Sequence, residues 1–231
     1  MNLQNPKTIN YESSLMLKET LEAPKVVERQ LAANAAALSK LVARFKDKPP
    51  SSVVTCARGS SDHASVYGKY LMQIFIGIPV MSFAPSIGSI YGKALKYDNA
   101  LFICISQSGK SPDLLINAEI AKKSGAYIVA FVNDETSPLA SLADLVIPLH
   151  AGPELSVAAT KSYIATLTAL AQLVAIWSED QQLQDGLKAL PEQLQLSAEL
   201  NWDSAAHLLK TADNMYFIAR GVGFGIAIET A

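Results

Sequence analysis

The sequence predicts an α/β protein, a doubly wound parallel sheet with helices packed on both faces. Three observations carry that prediction. The strand candidates are short, apolar and β-branched, with no polar alternation that would leave one face in water. Each is followed by a segment with helical spacing of its apolar residues. The two best-marked polar turns, residues 58–62 and 106–111, both follow such strands, where open α/β sheets bind their ligands.

Taken in order, residues 11–45 read as two helices. The first spans 13–23 and breaks at Pro24; the second spans 26–45, with Val27, Leu31, Ala35, Leu38, Leu41 and Val42 at helical spacing. A turn at 46–50 leads to a strand at 52–57, a helix at 60–76 and a strand at 80–83. A short helix at 86–94 precedes the strand 101–105, which runs into the second polar turn. The helix 112–123 is stopped by Gly125, and a strand at 127–132, a short helix at 138–143 and a strand at 145–148 follow. Residues 157–177 form a long apolar helix. Lys161, Gln172 and several Ser and Thr residues make it a helix buried in protein rather than a membrane span.

After Trp177 the character changes. Residues 178–186 are polar, and 187–209 look helical with Pro191 near a helix start. A strand at 215–219, the glycine turn Arg220-Gly221-Val222-Gly223 and a helix from Phe224 then repeat an earlier pattern: NMYFIARGVGFGIAIE beside SVVTCARGSSDHASVY. A lone strand and two turns of helix cannot bury a core. The expected organisation is therefore N-terminal helices at 1–50, an α/β domain at 51–180, and at 181–231 a linking helix with the start of a second tandem copy. The chain is expected to be a stretch of a longer tandem protein.

At 231 residues, half of them hydrophobic, the chain can bury a sizeable core. A net charge of −2 argues against a nucleic-acid partner, which would select a basic face. Cys56 and Cys104 each fall inside a strand and read as buried free thiols. His63, His150 and His207 have no metal-ligand spacing, so no metal is expected. The N-terminus lacks a basic-then-apolar leader pattern, which points to the cytoplasm and to no membrane association.

The segment LFICISQSGKSPD (101–113) carries the most chemistry. An apolar strand ends in Ser106-Gln107-Ser108-Gly109, and a helix starts at Ser111-Pro112-Asp113. Unpaired backbone N–H groups and the positive end of a helix dipole converge there, which suits an anion. Hydroxyls and an amide surround the same point without a basic cluster, which suits a phosphate on a small, polyhydroxylated ligand. Structural roles compete at each position. Ser111 would serve as N-cap with Pro112 at the first helical position; Gly59 would take a positive φ and Ser60 cap the next helix. His63 reads as a solvent-facing or packing residue, and Glu154 and Lys161 as an internal ion pair or cap.

Together ARGSSDHA (57–64), ISQSGKSPD (105–113), ELSVAATKSY (154–163) and the interrupted copy at 218–231 resemble the sugar isomerase (SIS) superfamily. They are similar to the isomerase half of glucosamine-6-phosphate synthase and its relatives without a glutaminase domain. The resemblance places the phosphate on Ser106, Gln107, Ser108 and Ser111, and the sugar on Ser61 and on the backbone around Val157 and Ala159. Ala159 stands where the synthase carries a serine, and Lys110-Ser111-Pro112-Asp113 departs from its usual Glu-Thr. Those departures look more like the stand-alone amino-sugar-phosphate deaminases and isomerases.

The implied activity is conversion of glucosamine 6-phosphate to fructose 6-phosphate and ammonia through an enolamine, without a cofactor, in a homodimer. The family's catalytic glutamate and histidine are expected beyond Ala231; Glu229 lies in the matching helix but about two turns too early, and is unassigned. Two other readings compete. One is a regulatory phosphosugar-sensing module, disfavoured because residues 1–50 lack a basic recognition helix. The other is a glutamine-dependent synthase, disfavoured because Met1-Asn2 offers no N-terminal cysteine nucleophile.

Overall fold

The computed structural model describes residues 14–231. The expected helix start at 11–13 lies outside them. Helix α1 (Leu15–Leu21) is capped by Ser14, and α2 (Ala23–Arg44) follows after one residue. Pro24 marks the boundary as expected, but it opens α2 instead of merely ending α1. Its missing N–H falls in the first turn, where no intrahelical partner exists anyway.

Strands and helices then alternate: β1 (Ser52–Cys56), α3 (Ser60–Phe75), β2 (Val80–Ser82), α4 (Ser86–Ser89), β3 (Ala100–Ser106), α5 (Pro112–Lys123), β4 (Tyr127–Val132), α6 (Pro138–Leu142) and β5 (Leu145–Pro148). They build a five-stranded sheet in the order β2-β1-β3-β4-β5, parallel throughout. The doubly wound prediction holds.

Both faces of the sheet are buried, which explains the absence of polar alternation. Leu101, Ile103 and Ile105 of β3 point to one side, with Leu38 and Leu41 of α2, Leu71 and Met72 of α3, and Leu170 and Leu173 of α7 (Lys161–Ser178). Phe102 and Cys104 point to the other, against Leu114 and Ala118 of α5 and Leu139 of α6. Cys56 and Cys104 are buried free thiols on this second side, as expected. Burial pushes the Cys56 thiol up to about 12, so it stays protonated.

The C-terminal third departs from expectation in several places. The long helix begins at Lys161, not 157, because residues 154–160 form a loop held by carboxylates. Among the described residues no helix is long and apolar enough to cross a membrane. Helix α8 (Gln181–Ala198) is capped by Asp180, which accepts the Leu183 N–H at 2.8 Å, so Pro191 sits inside a helix and not near its start. A break at 199–202 separates it from α9 (Asp203–Lys210).

Residues 215–219 do not form the expected strand. They run as exposed, irregular chain with no described strand alongside, and an unpaired strand has no ladder to stabilise it. The helix after them does form, as α10 (Phe224–Thr230), and lies against α3. Gly225 permits that approach, since a Cβ there would come 2.5 Å from the His63 carbonyl oxygen.

Candidate functional site

The order β2-β1-β3 puts a topological switch point between β1 and β3. The chain leaves β1 into α3 on one face and leaves β3 into α5 on the other, so a crevice opens between the strands' carboxyl ends. A cavity of about 300 Å³ occupies it. Two larger grooves border α8, but their walls are mainly apolar.

One wall is the turn after β3. Ser106 is buried, and its Oγ accepts the Gly109 N–H at 3.0 Å. Gly109 holds φ +62°, and its carbonyl accepts the Leu139 N–H at 3.2 Å. The Gln107 carbonyl accepts the Asn133 N–H at 3.1 Å, and Ser108 Oγ accepts the Lys110 N–H at 3.4 Å. Ser111 is the N-cap residue of α5, yet its side chain makes no capping bond. The competing structural role therefore does not use up the Ser111 hydroxyl. Ser106, Gln107, Ser108 and Ser111 all line the cavity.

The turn after β1 forms the second wall. Gly59, at φ +55°, is itself the N-cap of α3, and its carbonyl accepts the Asp62 and His63 N–H groups. Ser60 caps nothing with its side chain, contrary to its expected structural role. Ser60, Ser61 and Arg58 face the cavity.

A third wall comes from residues 154–163, which bring Val157 and Ala159 to the same space. Val157 is fully exposed and Ala159 half-buried. Glu154 accepts the backbone N–H groups of Thr160 and Ser162 at 3.0 and 3.2 Å, and the Ser162 hydroxyl. It therefore caps α7, while Lys161 pairs with Glu22 at 2.6 Å and not with Glu154. Tyr163 donates its phenol to the Gly225 carbonyl at 3.3 Å; burial first, then the nearby Glu229 carboxylate, push it up to about 12. It remains a neutral donor.

All the residues expected to contact substrate thus border one cavity: Ser61, Ser106, Gln107, Ser108, Ser111, Val157 and Ala159. Sequence reasoning missed Glu19. This buried residue of α1 accepts the Ser156 N–H at 3.1 Å, the Ser156 hydroxyl and the Leu155 N–H, so it fastens the third wall. Nothing local in α1 signals that role, because its partners lie more than a hundred residues away. The pairing of His63 Nδ1 with Glu229 Oε2 at 2.6 Å was also unforeseen.

The Leu155 N–H, followed by the Ser156 hydroxyl, holds the Glu19 carboxyl below its ordinary 4.5. A depressed value means the ionised clasp is fully present above the unfolded carboxyl's range and is lost as pH falls through the folded value. The Leu155 and Ser156 amide resonances should therefore titrate with a midpoint below 4.5 and lose that step in Glu19→Gln. A midpoint at or above the ordinary value would contradict the clasp.

Chemically, the cavity offers the hydroxyls of Ser60, Ser61, Ser106, Ser108 and Ser111, the Gln107 amide and the N-terminus of α5. The one carboxylate lining it among the described residues, Glu154, is occupied in capping. Among the described residues no cluster of three His, Cys, Asp or Glu could hold a metal ion. These features define a doubly wound α/β domain with a hydroxyl-lined pocket at its switch point.

Residues 48–176 match the SIS domain model, and the chain belongs to the SIS-domain family. The motif resemblance is borne out at the level of family and fold. The isomerizing glutamine–fructose-6-phosphate aminotransferase of Thermococcus kodakarensis is 33% identical over 230 residues, covering 94% of this chain and 37% of that protein. Its namesake from Methanothermobacter thermautotrophicus is 36% identical over 219 residues, with 94% and 36% covered. The chain thus spans well under half the length of the curated relatives it matches. A Silicibacter pomeroyi structure described as a phosphosugar isomerase aligns with TM-score 0.90 at 38% identity, covering 94% of this chain and 67% of that one. The C-terminal domain of glucosamine-fructose-6-phosphate aminotransferase from Francisella tularensis shares the fold, with TM-score 0.80 at 24% identity and coverage of 97% and 67%.

Proposed function

We propose that this domain binds a phosphorylated amino sugar and serves an isomerase that converts glucosamine 6-phosphate to fructose 6-phosphate. The observation that supports this reading best is the convergence of Ser106, Ser108 and Ser111 with the N-terminus of α5 on one cavity. Tetrahedral anions suit such a set, because several short donors can each meet a different oxygen. Phosphate binding would fix one end of the sugar, so that its binding energy orients C1 and C2 for proton transfer. In that reaction a base takes the proton from C2 while the C1 carbonyl oxygen gains one, giving an enolamine that is then protonated at C1. The product is an imine at C2, and water adds to release ammonia and the ketose phosphate.

Supplied with glucosamine 6-phosphate, the full-length protein, with the catalytic glutamate and histidine expected beyond Ala231, should yield fructose 6-phosphate and ammonia in equal amounts. Absence of both from folded protein would remove the deaminase reading. The names of the aligned relatives favour a second direction, amino-sugar synthesis from fructose 6-phosphate. Glutamine-dependent formation of glucosamine 6-phosphate would select it. We further propose a homodimer, which light scattering would test.

Replacing Ser108 with Ala should weaken binding of glucosamine 6-phosphate by about tenfold or more, the loss of one hydrogen bond to a charged group. Binding of unphosphorylated glucosamine should change little. Equal losses for the two ligands would contradict a phosphate role for this turn.

A further inference from the structure

The geometry points to Arg58 as a direct ligand of the bound phosphate, aimed by Asp113. This inference rests on the phosphosugar reading above and adds to it a cation that the sequence reading left out.

Arg58 follows β1 and borders the cavity, with its side chain 60% exposed. Its Nε–H donates to Oδ2 of Asp113, a residue in the first turn of α5 whose side chain is only 18% exposed. The pair therefore bridges the switch point, from the end of β1 to the N-terminus at which the phosphate would sit. Only the Nε position is used among the described residues, so the Nη edge of the fork is free to donate. Being planar and held at one edge, the guanidinium has little orientational freedom left to lose when an anion arrives.

Charge balance gives a second argument. Among the described residues Glu154 is the one carboxylate lining the cavity. A dianionic phosphate placed there shares the cavity with that negative charge. Among the described residues Arg58 is the one cation lining the cavity. The other basic residue nearby, Lys110, is directed away to Asp134 at 3.1 Å. Hydroxyls and amides supply direction and number of bonds, and Arg58 supplies the compensating charge.

Calorimetric titration of the protein with glucosamine 6-phosphate, inorganic phosphate and unphosphorylated glucosamine tests this. Arg58→Gln should weaken the two phosphate-bearing ligands by about 10- to 100-fold, as expected for one charge-assisted contact, and leave glucosamine within about twofold. Their affinity should also fall less steeply with added salt than in wild type, because one charge pair has gone. Arg58→Lys keeps the charge but loses the fork, and should fall between the two. It also serves should the Gln variant fail to fold, since an ammonium can still meet Asp113. Wild-type binding of phosphosugar with unchanged affinity in both variants, or equal losses for all three ligands, would overturn the role of Arg58 alone. Failure of wild type to bind either phosphate-bearing ligand would instead overturn the phosphosugar reading itself, and this inference with it.

Discussion

Gly109→Ala is expected to reduce phosphosugar binding by more than about 100-fold, as several anion donors are misplaced together. It is also expected to lower the unfolding free energy by about 2–5 kcal/mol. Two independent costs add. The backbone at φ +62° lies in the left-handed region, where a side chain costs about 1–2 kcal/mol. A Cβ would also stand 2.1 Å from Ser137 Oγ and 2.5 Å from Ser137 Cβ. Ser137 cannot yield. It is fully buried, and its hydroxyl accepts the Ala140 N–H at 3.3 Å to cap α6. Overpacking at such a site costs about 1–3 kcal/mol more.

Relief must come from the loop, and moving the loop breaks the bonds from Gly109 N–H to Ser106 and from Leu139 N–H to the Gly109 carbonyl. Those bonds set where the cradle's donors point. Gly125→Ala provides the control: φ is +93°, but no atom lies within 4 Å of its added Cβ. It carries backbone strain without the collision, far from the cavity, and should leave ligand affinity unchanged. Chemical denaturation and calorimetry on the two variants separate the effects. A Gly109→Ala protein that binds phosphosugar as well as wild type would show that this turn is not the anion cradle.

The parallel sheet was readable because its strands are buried on both faces. Runs such as Leu101 to Ile105 are apolar at every position, and only a sheet covered on both sides needs that. The two polar turns were readable because strand, turn and helix start are contiguous in the chain. What escaped was non-local. Glu19 and Arg58 act through partners that folding alone brings near, across 136 and 55 residues. Val157 looked helical from its apolar neighbours, but two carboxylates satisfy the loop's N–H groups and stop α7 at Lys161. Residues 215–219 misled for the opposite reason. Their composition suits a strand, and strand propensity expresses itself only where a neighbouring strand offers hydrogen bonds. Both serines with an expected capping role proved free, because Gly59 took the position before Ser60 and Ser111 left its hydroxyl unbonded.

Removing the carboxylate of Glu154 should cost about 2–4 kcal/mol, the sum of a lost helix cap and of N–H groups left without partners. Its Oε1 accepts from the Thr160 and Ser162 amides, and Oε2 from the Ser162 hydroxyl, so one side chain serves the first turn of α7 and the loop before it. The negative charge also opposes the positive end of an 18-residue helix dipole. In Glu154→Ala that turn should fray, and Val157 and Ala159 should lose their fixed place at the cavity wall. Glu154→Gln keeps one oxygen for the backbone amides and should retain most of the stability. Because Glu19 fastens the same loop from α1, the effects of Glu19→Gln and Glu154→Gln should not add, and a double-mutant cycle would register the coupling. Hydrogen exchange at residues 155–163 localises the response. Unaltered exchange there, together with a stability change below about 0.5 kcal/mol in Glu154→Ala, would mean that the third wall is held by something other than these two carboxylates.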